Sequence, residues 1–223
     1  MRRPGWTLGL AVAVSALFAG AGTGCGSLLP APAPAPAFFA LEGTPAASGG
    51  AVPAPPGAPA LVVSPPRAAA GYDSARIVYT RKAHQLETYA LSEWVDTPAR
   101  MLGPLIVTAI GRHPAFRVVM ASGGGAVGEL RLDTELLRLR QEFGTGPSRV
   151  SLVLRATVVD SVTRRLVAHR DFDIRADAST EDAYGGVQAA NRATGALLQA
   201  LAAFCAEAAG QWQSDRARAA SGH

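Results

Sequence analysis

Apolar residues fall on every second position from Val150 to Val158, through Leu152, Leu154 and Ala156, while Ser151, Arg155 and Thr157 take alternate places. That period of two predicts a half-buried strand over 149–160. A turn over Asp160–Arg164 leads to a second alternating run, with Leu166, Ala168, Phe172 and Ile174 on one face. The two runs are expected to pair as a hairpin. Arg76–Thr80 and Leu86–Leu91 make a second hairpin around the polar stretch Arg81–His84. Leu61–Val63 reads as a short strand stopped by Pro65 and Pro66, and Phe116–Met120 as another.

Helical spacing occurs twice. Leu102, Leu105, Ile106, Ala109 and Ile110 recur at i, i+3, i+4, i+7 and i+8 after Asp96-Thr97-Pro98, where Asp or Thr can cap and Pro suits the first turn. Pro104 lies inside that stripe, so the helix either kinks there or begins near Gly103. A longer helix over 187–212 carries Thr194, Leu197, Leu198, Leu201, Phe204, Cys205, Ala208 and Trp212 along one stripe. Residues 214–223 contain no large apolar side chain and are expected to be a disordered tail. The segment 129–143 satisfies both periods: Leu130 and Leu132 alternate, whereas Leu132, Leu136, Leu139 and Phe143 fit a helix. Periodicity leaves it open.

The N-terminal 24 residues have another organisation: Arg2 and Arg3, an apolar run from Trp6 to Ala21, then small residues. This is an export signal, too short in its apolar run for the roughly 20 residues of a spanning helix. Two cleavage sites compete. Ala19-Gly20-Ala21 resembles an A-x-A site, and Gly22-Thr23-Gly24-Cys25 resembles a lipobox, with Gly22 where an aliphatic residue is usual. The lipobox reading makes Cys25 the lipidated first residue of the mature chain; the other leaves a soluble periplasmic protein with a free Cys25. Residues 25–60, rich in Pro, Ala and Gly, read as a tether, and 61–213 as a single domain. Phe38, Phe39 and Leu41 form an apolar island able to dock on that domain as an edge strand.

Removing Arg2 and Arg3 leaves 19 basic residues against 17 acidic ones, so the sequence pI of 9.6 reflects a small excess of Arg rather than a basic stripe. No nucleic-acid partner is expected. With Cys25 consumed by lipid, Cys205 is the one remaining cysteine and no disulfide framework exists.

Candidate chemistry is sparse. Gly123–Gly128 matches G-x-G-x-x-G after a strand, but enters no clear helix and reads as a loop rather than a cofactor turn. His169, Asp171 and Asp173 share a strand face at steps of about 6.6 Å, where Arg165 and Arg175 are available to neutralise the aspartates. His84, His113 and His223 are scattered, and neither G-x-S-x-G nor H-E-x-x-H occurs. Glu181 and Asp182 precede the long helix, whose dipole favours acidic residues there. No catalytic, metal or cofactor site is expected.

Five stretches taken in order, Arg76–Tyr79, Trp94–Met101, Glu135–Leu139, Gly146–Val150 and Tyr184–Arg192, resemble the auxiliary lipoproteins of ABC-type transport systems. That group includes the paraquat-inducible-protein C type of outer-membrane lipoprotein. The resemblance implies a two-layer α/β fold, a mixed and mainly antiparallel sheet covered by two amphipathic helices, and it turns 129–143 into a strand. It further implies a non-enzymatic subunit of a lipid-transport system, working with an inner-membrane ABC permease and ATPase and a periplasmic mammalian-cell-entry-type protein. Outer-membrane sorting is expected from Gly26 after the cysteine. A homo-oligomer is compatible with the resemblance. Two rival readings of the sequence are a lipid-binding carrier that encloses an acyl chain in its own cavity and an exported hydrolase whose site is too dispersed to read.

Overall fold

The computed structural model describes residues 34–42 and 53–221. The export signal, Cys25, Gly26 and His223 lie outside the described residues. Along the chain run β1 (Ala37–Phe39), β2 (Ala60–Val63), β3 (Arg67–Ala68), β4 (Arg76–Lys82), β5 (Gln85–Trp94), α1 (Pro98–Gly111), β6 (Val118–Ala121), β7 (Leu130–Glu142), β8 (Arg149–Asp160), β9 (Leu166–Asp177) and α2 (Ala183–Ser221).

All nine strands belong to one mixed sheet organised around β7. One edge of β7 pairs antiparallel with β8 along its whole length, from Leu130 opposite Asp160 to Glu142 opposite Arg149. The other edge is shared end to end by three short parallel neighbours: β2 at Leu130–Leu132, β3 at Glu135–Leu136 and β4 at Gln141–Glu142. The expected β8–β9 and β4–β5 hairpins both form. His84, in the β4–β5 turn, adopts φ +64°. Helix α2 packs on β8 and β9, while α1 lies over β6 and β2, giving two layers.

The ambiguous segment is therefore a strand, and its mixed signal has a local cause. Leu130, Leu132, Thr134 and Leu136 point inward, then a bulge between Leu136 and Arg138 shifts the phase so that Leu139 and Gln141 point inward instead. The inserted residue makes a spacing of three between inward positions, which imitates a helix. β2 is buried throughout because it is hydrogen-bonded to parallel strands on both sides and covered on both faces.

Helix α1 starts at Pro98 and runs unbroken through Pro104, with Leu102, Ile106 and Ile110 fully buried. Thr97 makes no side-chain capping bond; instead the Asp96 carboxylate accepts the Thr97 N–H and pairs with Arg100. α2 is long and apolar enough to cross a membrane, yet its stripe from Val187 to Trp212 is the main wall of the domain core.

The structure departs from expectation in several details. The helix does not end at Trp212: residues 214–221, expected to be a disordered tail, continue it, held by the Asp215–Arg218 pair and by Arg216 stacking 4.7 Å over Trp212. β1 adds to β5 in parallel, with Leu41 buried behind it, so the domain begins at β1 rather than at Leu61. Leu166 is 64% exposed, because a bulge between the Val158 and Val159 registers turns it out of the core face.

At the junction of α2 with the sheet, a Cβ on Gly186 would collide with the amide of buried Gln141. Gly186→Ala should cost about 2–4 kcal/mol in urea unfolding, combining overpacking with loss of Gln141 bonding. Gly210, with open space around it, should instead gain up to about 1 kcal/mol as Gly210→Ala.

Candidate functional site

The five stretches that carry the family resemblance converge at the N-terminal end of α2. Tyr79 packs against Tyr89 at 4.6 Å between ring centroids and edge-on to Phe143 at 5.8 Å. The Tyr89 hydroxyl donates to Gln141 Oε1 at 2.9 Å, Gln141 Nε2 donates to Ser148 Oγ at 2.8 Å, and the Ser148 N–H donates to Glu181 at 2.9 Å. Burial, then the neighbouring Tyr79, pushes the Tyr89 phenol up to about 12, so it stays a donor at physiological pH. Asp182 accepts the Gly185 N–H at 2.8 Å and caps the helix. Further along α2, Asn191 accepts the Glu42 N–H at 2.8 Å and donates to the Ala40 carbonyl at 3.1 Å, fastening the chain just after β1. Trp94 is buried at the end of β5, opposite Phe39. These residues join helix, sheet and N-terminal strand; their role is architectural.

The other candidates are dispersed. Cys205 is buried in the core, and burial raises its thiol to about 12, removing its nucleophilicity. His169, Asp171 and Asp173 do share a face, but Arg155 takes both oxygens of Asp171 at 2.9 Å and Arg175 pairs with Asp173. The aspartates are thus neutralised from β8 as well as from their own strand, and Arg165 plays no part. His169 Nδ1 lies 3.2 Å from the Thr157 hydroxyl, on an exposed strand face rather than in a cleft. Among the described residues no three metal-ligating side chains converge. The glycine run turns with φ +56° at Gly124 and +82° at Gly125 and feeds strand β7, so no helix N-terminus follows it.

Open depressions mark the surface of the described residues. An apolar groove of about 470 Å³ runs between the β2–β3 connection, at Pro65 and Pro66, and the Gly103–Pro104 face of α1. A wider cleft of about 640 Å³ lies at the other end of α2, lined by Pro55–Ala58, Arg117, Glu129, Trp212 and Arg216. By contrast, the space between α2 and the sheet at Gln141, Trp94 and Gly186 is about 10 Å³, too small for an acyl chain.

The wide cleft is held shut at its base by charge. Arg117 donates to the Ala58 carbonyl at 2.9 Å and to Glu129 at 2.8 Å, and Glu129 also accepts the Ala60 N–H at 2.8 Å. The Arg117 bond outweighs partial burial and holds the Glu129 carboxyl down at about 2. Behind it, Trp212 Nε1 donates to Asp160 at 2.6 Å. Burial opposes ionisation of Asp160, but bonds from Thr163, Trp212 and Val162 prevail and lower its pKa.

These features define a two-layer α/β domain with one helix-covered face and one open face of paired charges. The chain belongs to the ABC-type transport auxiliary lipoprotein component family, whose model matches residues 39–202. Its fold is similar to the crystal structure of protein XCC0632 from Xanthomonas campestris, a DUF330 protein, at 22% identity and TM-score 0.65, covering 80% of this chain and 99% of that one. It is also similar to a crystal structure described as an uncharacterized protein, at 11% identity and TM-score 0.60, covering 76% and 97%. A search of curated proteins finds no significant match.

Both lowered carboxyls contribute stability that is present above their unfolded values, about 4, and lost as pH falls through the folded ones. The urea midpoint should be flat above roughly pH 5 and fall between about pH 4.5 and 2. Glu129→Gln should lower the neutral-pH midpoint and remove part of that acid slope; an unchanged slope in Glu129→Gln and Asp160→Asn alike would contradict this assignment.

Proposed function

We propose that this chain is a non-catalytic auxiliary subunit of an ABC and mammalian-cell-entry-type lipid-transport system, fixed by lipid at Cys25 to the periplasmic face of the outer membrane. The observation that carries the reading is the family match over residues 39–202. Gly26 after the cysteine favours outer-membrane sorting. The domain supplies neither energy nor a permeation path: the sequence holds no P-loop, and the apolar helix α2 is packed into its core.

Docking is the form this role takes. Its periplasmic partner is the mammalian-cell-entry-type protein, which connects it to the inner-membrane permease and ATPase. The small space beneath α2 does not favour a carrier that encloses an acyl chain, and the neutralised aspartates do not favour a hydrolase.

Crosslinking in intact cells followed by purification through this chain should recover the mammalian-cell-entry-type protein together with permease or ATPase subunits. Recovery of none of them, with the chain itself efficiently crosslinked at the membrane, would overturn the reading.

A further inference from the structure

The corner of the domain nearest to Cys25 in sequence is also its aromatic corner. Phe38 is 60% exposed, Val95 59% and Tyr184 57%. In the parallel β1–β5 ladder, Phe38 lies opposite Glu93 and Phe39 opposite Trp94, and the Val95 N–H donates to the Phe39 carbonyl at 2.8 Å. Val95 follows β5 directly, and that bond keeps it beside the end of β1. On the face opposite Phe38, Tyr184 in the first turn of α2 meets Phe39 at 6.4 Å between ring centroids. The edge strand thus carries exposed apolar side chains on both sides.

The chain outside the domain says what covers them. Ten residues separate Cys25 from Pro36. Covalent geometry limits the reach of ten residues to about 36 Å. A lipid at Cys25 therefore presents β1 to the bilayer at high effective concentration. The opposite end of α2, at Trp212, is about 42 Å further along the helix from Tyr184. Exposed aromatic side chains at that distance from a lipid anchor match the amphipathic belt that membrane proteins place at the headgroup level.

We propose that the corner formed by Phe38, Val95 and Tyr184 rests in the headgroup region of the membrane that holds the lipid, as a second contact that orients the domain. This rests on the lipidation of Cys25. With this corner seated, the first turn of α2 lies nearest the bilayer and the cleft at Trp212 and Arg216 lies at the opposite end of the helix.

The test uses the full-length mature lipoprotein in phosphatidylethanolamine–phosphatidylglycerol vesicles. A polarity-sensitive thiol probe is placed at Ala37→Cys, beside Phe38, or at Val162→Cys in the far β8–β9 turn. Cys205 is buried and stays unlabelled, and a lipidated Cys25 has no free thiol. The Ala37 probe should emit as in a nonpolar medium and be quenched several-fold by spin-labelled lipids, while the Val162 probe remains aqueous. Adding Phe38→Ser and Val95→Ser should return the Ala37 probe to water without stopping flotation of the protein with the vesicles. Equal aqueous emission at both sites in floating protein would overturn the proposal alone. A nonpolar Ala37 probe that lipid quenchers cannot reach would overturn it in favour of a second copy or protein partner on the corner. Protein that neither floats nor lacks a free Cys25 thiol would overturn the lipid-anchor reading and this proposal with it.

Discussion

The double use of β7 is the constraint on which the rest of the structure depends. One edge is committed to β8 over the full length of the strand, and the other is divided among β2, β3 and β4, which come from a stretch of chain interrupted by prolines and turns. None of those three could satisfy its backbone alone; each borrows a few residues of β7. The inward side chains of β7 and β8, from Leu130 to Val158, then form the floor on which both helices lie. The bulge at Leu137 lets inward-facing residues continue to Gln141, which ties the sheet to Tyr89 and Ser148 and reaches Gly186 of α2.

Much of this was legible from local pattern. The β8 alternation, the two hairpins and the α2 stripe all follow from periodicity, because antiparallel neighbours and amphipathic helices leave their burial in the order of residues. β7 was opaque to the same method, since the extra residue at Leu137 broke its period, and only resemblance turned it into a strand. The apolar island at Phe38, Phe39 and Leu41 announced β1 as an edge strand, but the parallel partners of β2, β3 and β4 left no local trace: they lie far away in the chain, and β3 is two residues long. The continuation of α2 past Trp212 depends on Asp215, Arg216 and Arg218, polar contacts that an apolar stripe does not report.

The candidate chemistry behaved differently from the fold. His169, Asp171 and Asp173 stood on one face as their spacing required, but the decisive neighbour, Arg155, comes from β8 and became visible only through the hairpin register. The motif stretches proved to be the joints of the architecture. What remains for chemistry among the described residues is a face of paired charges and open depressions beside α1 and at the far end of α2.

Everything proposed for this chain's place in the envelope hangs on a lipid at Cys25. The mass of the mature protein purified from membranes tests it most directly. The expected result is a chain beginning at Cys25 with the added mass of a diacylglyceryl group and an N-acyl chain, abolished in Cys25→Ala. A mature chain beginning at Gly22 with an unmodified Cys25 would contradict it.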